Sequence, residues 1–416
     1  MKRIILISMT LILSIGLLAL VYASYRNRAG LVDTLDLLIP QLMEQYSVPG
    51  AAVSLVRDGE VAWSEGYGLA DRGRGVPVTT DTVFQVASIS KAVTSWGVMR
   101  LVESGQLELD APVEQYLTRW HLPPSKYDAS GVTIRRLLSH SAGLSVHGYP
   151  GLPPDGPLPS LEESLSGNNG GAGSLRITME PGAQFEYSGG GYTLLQLIVE
   201  EVTGETFSAY MQREVLDPLG MVHSSFEWRA DLRPATAIAY SETGVSLPNY
   251  LFTEQAAAGL YTTAPDLARF VAAEMAGPNG EPAGRGVLSP DTLALMFTPA
   301  IQSQGHAQGL GQGIETLPGG SKLIGHGGAN AGWRALISAI PELDLGIVIL
   351  TNSDNGSALI DDVLREQSGL PIKEMAIRIL IPILILGLLI CAIFLIKDLT
   401  SPRQHRHRSQ NERSTR

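Results

Sequence analysis

Between Ile379 and Ile396, eighteen consecutive residues carry no charge. That length matches the hydrocarbon core of a bilayer, so any globular fold must be built from the residues before it. Pro382 interrupts the run, and a membrane helix tolerates proline better than a soluble one does. A buried core helix is the alternative. The residues that follow weigh against it: Lys397, Arg403, Arg406, Arg408, Arg413 and Arg416 are opposed only by Asp398 and Glu412. A basic tail directly after an apolar run is the positive-inside pattern. A second apolar run, Ile4 to Ala23, follows Met1-Lys2-Arg3 and reads as a secretory signal, cleaved or retained as an anchor. Both ends therefore point to the cytoplasm. The expected organisation is residues 1–30 as signal or N-terminal anchor, 31–370 as an outward-facing domain, 376–397 as a transmembrane helix and 398–416 as a cytoplasmic tail.

The partners implied are a lipid bilayer through the C-terminal helix and a small-molecule or peptide substrate for the domain. Between the two ends, residues 31–375 hold 19 Lys and Arg against 39 Asp and Glu, a net charge of −20. So acidic a surface repels nucleic acid and anionic membranes. Cys391 is the single cysteine, so no disulfide can form within the chain.

Strand patterns sit at both ends of the domain. Ala51–Val56 and Val61–Tyr67 flank Asp58-Gly59, which predicts a β-hairpin. Trp333–Ile340 and Leu345–Thr351 flank a turn from Pro341 to Asp344. The middle is helical in pattern. Ala92, Val93, Trp96, Met99 and Val102 recur at helical spacing after Ser88, and Leu194–Val202 and Phe207–Val215 are similar. The expected fold is α+β: an antiparallel sheet built from both ends of the domain, flanked by helices, with a helical lobe inserted. Two loops stand out: Gly148–Pro159 is Pro/Gly-rich, and the Gly/Asn-rich Ser166–Ser174 is expected to be mobile, either a linker or the rim of a site.

Three short elements carry chemistry. Ser88-Ile89-Ser90-Lys91 opens the first helical stretch. Residues three apart share a helix face, so the Lys91 amine meets the Ser88 hydroxyl at a helix N-terminus that favours negative charge. A hydroxyl needs a neighbouring base to act as a nucleophile, and a desolvated lysine can serve. The competing reading is a helix cap followed by a solvated lysine, but the apolar residues around Lys91 leave no solvated face. The second element is Tyr187-Ser188-Gly189-Gly190-Gly191, where a tyrosine beside three glycines suggests close backbone approach; an ordinary core tyrosine is the alternative. The third is Gly325-His326-Gly327-Gly328-Ala329-Asn330, placed between a short strand and a second one. A strand edge with free N–H groups can hold a carbonyl oxygen or its oxyanion. No Gly-x-Ser-x-Gly elbow and no His-Glu-x-x-His is present, Gly309–Gly313 fits neither phosphate-loop pattern, and the other histidines lack metal-ligand spacing. No cofactor or metal is expected.

Taken together, these elements resemble the serine β-lactamase and penicillin-binding-protein superfamily, in the branch of class C β-lactamase-like hydrolases. Leu137–Leu144, Tyr187–Gly204 and Pro218–Met221 extend the resemblance, which covers roughly residues 35–365. It implies that Ser88 is acylated and that Lys91 removes its proton directly or through Tyr187. Tyr187 would protonate the leaving group, and the N–H groups of Ser88 and Ala329 would hold the oxyanion, with His326, Gly327 and Gly328 lining the substrate. The chain departs from the family twice. The family's Tyr-x-Asn reads Tyr187-Ser188-Gly189, and its Lys-Thr-Gly reads His326-Gly327-Gly328. Loss of that cation should cost carboxylate-bearing substrates about 10- to 150-fold, eased by the one hydrogen bond a neutral imidazole can donate. The expected function is a membrane-anchored serine hydrolase of esters, amides or peptides. The alternatives are a D,D-carboxypeptidase or weak β-lactamase, a D-aminopeptidase or prodrug-cleaving peptidase, and a non-catalytic penicillin-binding sensor or scaffold.

Overall fold

Asp58 and Gly59 both adopt positive φ, 52° and 70°, the backbone of a tight hairpin turn whose twist matches its strands. They join strands β1 (Gly50–Arg57) and β2 (Glu60–Asp71). The second expected pair forms as well, with a single 3-10 turn, Pro341–Leu343, and Asp344 at φ 52° between its strands. The structure is a computed structural model and describes residues 31–303 and 306–367. The expected signal, transmembrane run and basic tail lie outside the described residues. Among the described residues no helix is long and apolar enough to cross a membrane. One compact unit comprises Asp36–Glu366.

Its centre is an antiparallel sheet. After β1 and β2 come β3 (Val76–Pro77), then β4 (Ile301–Ser303), β5 (His306–Gln308), β6 (Gly313–Thr316), β7 (Lys322–Asn330), β8 (Trp333–Ile340) and β9 (Leu345–Thr351). Their spatial order is β3-β2-β1-β9-β8-β7-β6-β5-β4. Ala51 pairs with Thr351 and Arg57 with Leu345, so the two ends of the unit meet in the middle of the sheet. Both central strands are nearly continuous apolar runs, as strands covered on two faces must be. Asn352 ties the end of this pair down, donating from Nδ2 to Leu69 O at 3.1 Å and Ile238 O at 3.0 Å.

The inserted lobe spans the region between β3 and β4. Its first helix, α1 (Ile89–Glu103), is buried on all sides through Met99, as a helix without a polar face must be. Its Trp96 packs on Phe270, ring centroids 5.1 Å apart. Phe270 lies on the helix Ala264–Ala273, whose Thr263 cap accepts the Asp266 N–H. The helix packs on β1 and β9. The lobe also carries two short sheets, Phe84–Gln85 with Tyr261–Thr262 and Ala239–Tyr240 with Ser246–Leu247.

The Gly/Asn-rich loop is more organised than its composition suggests. Asn169 is buried inside it, donating to Ser164 O at 2.9 Å and Gly173 O at 2.8 Å and accepting from Gly173 N. One side chain thus supplies the hydrogen bonds a strand or helix would otherwise provide. The other loop is fastened by reciprocal 2.8 Å backbone bonds between Leu152 and Leu251.

Candidate active site

Ser88 stands at the N-terminus of α1, directly after Ala87, which is held at φ 49°. Non-glycine residues rarely adopt that conformation, which costs of order 1–3 kcal/mol and tends to mark functional sites. No hydrogen bond among the described residues takes up the Ser88 N–H, whereas Ile89 and Ser90 donate to Val86 O and Ala87 O. One helical turn on, Lys91 is 2% exposed. Its Nζ lies 3.1 Å from Ser88 Oγ and donates to Ala257 O at 2.6 Å. A base and a hydroxyl at that separation form a proton-transfer pair. Among the described residues no carboxylate pairs with Lys91. Its other neighbours are aromatic: Nζ lies 5.1 Å from the Tyr187 ring centroid and 5.8 Å from that of Tyr192. Cation–π attraction thus stands where an ion pair could have been.

Tyr187 is held on both its backbone and its ring. His147 Nδ1 donates to Tyr187 O at 2.6 Å, with its Nε2 3.4 Å from Glu186. The His140 ring centroid lies 4.3 Å from that of Tyr187 and 5.2 Å from Tyr192, while His140 Nδ1 accepts the Ser188 N–H at 3.2 Å. After Tyr187 the chain enters α2 (Gly189–Thr203). Its first N–H groups are taken up by His147 O, Val146 O and Ser188 Oγ. This helix end is therefore closed to an anion. A Cβ on Gly189 would lie 3.1 Å from His147 O and 3.4 Å from the Tyr149 ring. The loop 147–149 thus lies against the Gly189 backbone, where the family pattern places an asparagine.

The third element differs from expectation in form. Gly325–Asn330 lies within one continuous strand, β7, rather than between two strands. Its glycines answer to close packing: a Cβ on Gly325 would fall 2.5 Å from Ile337 O, and one on Gly328 would fall 2.2 Å from Val86 O. On one side β7 pairs with β8 from Ile324 to Asn330. On the other, β6 pairs only as far as Gly325. Leu317 N donates to Ser321 O at 2.9 Å at the β6–β7 turn, which turns the odd-numbered backbone groups of β7 toward β6. Beyond Gly325 those of Gly327 and Ala329 face an edge without a partner strand. The even-numbered side chains share one face. Gly328 meets Val86 there, and Asn330 Nδ2 donates to Gln85 Oε1 at 2.9 Å.

His326 belongs to that face, its ring centroid 6.3 Å from Tyr187. Burial first, and the charge of Lys91 second, push its pKa down to about 4. Nδ1 lies 2.6 Å from the carbonyl oxygen of Gly327. A carbonyl only accepts, so Nδ1 carries the proton. The single hydrogen bond expected from a neutral imidazole toward substrate is therefore already used.

The structure thus brings Ser88, Lys91, Tyr187 and His326 together, with the Gly327–Ala329 edge beside them. Ala257 O, His140, His147 and Tyr192 join them without having been singled out. The Leu137–Leu144 and Tyr187–Gly204 segments hold His140 and Tyr192, but nothing in the sequence marked their rings as neighbours of Tyr187 or Lys91. Among the described residues no cluster of His, Cys, Asp or Glu could hold a metal ion.

Comparison with known proteins fits this geometry. The Beta-lactamase family model matches residues 35–369. Protein flp of Staphylococcus aureus (strain MRSA252) is 26% identical over 332 residues, covering 76% of this chain and 62% of flp, so the match spans less than two thirds of that relative's length. A putative penicillin-binding protein PbpX of Bacillus subtilis (strain 168) is 26% identical over 328 residues, covering 77% of this chain and 75% of PbpX. Among solved structures, an octameric penicillin-binding protein homologue from Pyrococcus abyssi superposes with a TM-score of 0.66 at 29% identity, covering 78% of this chain and 74% of its own. A D-alanine carboxypeptidase AmpC from Burkholderia cenocepacia shares the fold, with a TM-score of 0.66 at 23% identity over 82% of this chain and 99% of its own. With the family model matched over most of its length, the chain belongs to the Beta-lactamase family.

Proposed function

We propose that Ser88 is the nucleophile of an acyl-enzyme hydrolase whose preferred substrates are esters or amides without a carboxylate beside the scissile bond. The observation that carries this is the 3.1 Å approach of Lys91 Nζ to Ser88 Oγ inside a site where the lysine has no carboxylate partner among the described residues. Ser88 Oγ attacks the substrate carbonyl and Lys91 takes its proton. The oxyanion lies between the N–H groups of Ser88 and Ala329. Tyr187, close to Lys91, protonates the leaving group and then assists the water that releases the acyl chain. Relatives carry names that speak of penicillin binding and D-alanine carboxypeptidase. The His326 site argues against carrying those substrates over, because it offers no cation to a carboxylate at neutral pH. The chemistry would take place outside the cell, with the domain tethered through the apolar run Ile379–Ile396.

Intact-mass measurement after treatment with a serine-directed fluorophosphonate tests the nucleophile. One adduct is expected on the wild type and none on Ser88→Ala. An adduct that survives the substitution assigns the nucleophile elsewhere.

A further inference from the structure

The histidine that stands where the family pattern has a lysine is more than a missing cation. We infer that His326 presents a hydrogen-bond acceptor to the substrate, and that the site selects molecules with a neutral donor, an amide N–H or a hydroxyl, beside the scissile bond. This deepens the proposed function and rests on it.

The argument starts with the proton count on the ring. A neutral imidazole has one N–H and one lone pair. The Gly327 carbonyl, 2.6 Å from Nδ1, fixes the N–H there. Nε2 is then the lone pair, and among the described residues no donor reaches it. Burial and the charge of Lys91 hold the ring neutral down to about pH 4, so the lone pair persists across the working range of an extracellular enzyme. The ring stays on the substrate side because β7 alternates. Ile324, Gly328 and Asn330 share the face of His326, and that face meets Val86 and Gln85 just ahead of Ser88.

A carboxylate brought to Nε2 would set acceptor against acceptor and give up its water without return. An ammonium would find the acceptor but would give up most of its hydration for one hydrogen bond. A neutral donor satisfies the lone pair without either penalty. One neutral hydrogen bond is worth about 2- to 12-fold in affinity. Stranding two acceptors against each other should cost about 10-fold or more on the same scale.

A matched set of phenylacetyl aryl esters tests this, with 3-hydroxybenzamide, methyl 3-hydroxybenzoate or 3-hydroxybenzoate as the leaving group. Their phenols differ little in leaving ability, so ratios of kcat/KM at pH 7.5 report the contact. The full-length wild type should hydrolyse the amide about 5-fold faster than the methyl ester and at least 10-fold faster than the carboxylate. In His326→Phe, which keeps a ring and removes the lone pair, the amide and methyl ester should be equal. In His326→Lys the carboxylate should gain at least 10-fold relative to the methyl ester. Fluorophosphonate labelling of Ser88 in each variant reports a folded site. A wild type that treats amide and methyl ester alike, that prefers the carboxylate, or whose preference survives His326→Phe overturns the inference. Binding of the three intact esters to Ser88→Ala, read by calorimetry, should give the same order. That measurement needs no acylation by Ser88, so it judges the acceptor separately, and hydrolysis of the esters by Ser88→Ala would overturn the nucleophile assignment instead.

Discussion

Replacing Glu274 by glutamine should make stability less sensitive to alkali. Glu274 follows the helix Ala264–Ala273 as its C-cap and is 3% exposed. Gln312 Nε2 donates to its carboxyl group. Burial pushes its pKa from 4.5 up to about 8, against the smaller opposite pull of Gln312. The folded protein therefore keeps a proton that the unfolded chain releases above about pH 4.5. A raised pKa gives stability that is complete below the unfolded value and disappears as pH climbs through the folded one. Each pH unit in that window removes about 1.4 kcal/mol, so passage from pH 5 to pH 8 removes about 4 kcal/mol through this one group. Glu274→Gln keeps the size and the hydrogen bonding and never ionises. It should match the wild type within about 1 kcal/mol at pH 5 and exceed it by about 4 kcal/mol at pH 8. At roughly 2 °C per kcal/mol for a domain of this size, that is a Tm difference of about 8 °C. Urea unfolding at four pH values would measure it, with the buried Trp96 and Trp333 as reporters. Taking the difference between the two proteins cancels every other titrating group. If that difference is the same at pH 5 and pH 8, burial does not hold Glu274 neutral and the reasoning fails.

Three further outcomes follow from contacts described above or nearby. Lys91→Ala should lower kcat/KM on a neutral aryl ester by about 10²- to 10⁴-fold while circular dichroism stays native; a loss below tenfold would remove Lys91 from the chemistry. Asp266 is fully buried and accepts from His223 N at 2.7 Å and Ser224 Oγ at 2.9 Å while pairing with Arg269. Asp266→Ala should cost about 2–4 kcal/mol in denaturant unfolding, because it strands the His223 N–H and the buried Ser224 hydroxyl, and a cost under about 1 kcal/mol would show the network to be dispensable. Protease added to wall-stripped cells should digest epitopes within residues 31–375 and spare one at the C-terminus; the opposite pattern would reverse the topology.

What could be read in the sequence was whatever repeats or obeys local geometry. The two hairpins were legible because alternation and turn chemistry act within a dozen residues. The pairing of Ser88 with Lys91 was legible because a helix fixes which residues share a face. The strand character of Gly325–Asn330 was hidden. Glycine has little strand preference; this strand is made by its pairing with β8, and Gly325 and Gly328 are needed because Ile337 O and Val86 O leave no room there for a Cβ. Ala257 could not be found at all, since it acts on Lys91 through a backbone carbonyl that every residue possesses. His140 and His147 each meet the Tyr187-Ser188 segment across 40 residues or more of chain. Asn169 sits in a stretch whose composition suggested mobility, and a single buried amide organises it. The tautomer of His326 also lay beyond reach, because it is set by one carbonyl's position rather than by residue type.

The pairing of β1 with β9 sets a timetable for the chain's synthesis. The strand that starts near residue 50 waits for a neighbour that begins at Leu345, nearly three hundred residues later. The helix carrying Ser88 is made in the first quarter of the chain, whereas the edge that would receive the oxyanion lies on β7, past residue 322. Closing so long a loop is slow, and contacts between distant residues delay folding. Ala257 and Tyr187, which contact Lys91, are also made long after α1, so the surroundings of Ser88 and Lys91 are completed piece by piece as synthesis proceeds. A chain cut short anywhere before β7 would hold Ser88 and Lys91 but lack the Gly327–Ala329 edge and the strands that join β1 to the rest of the sheet.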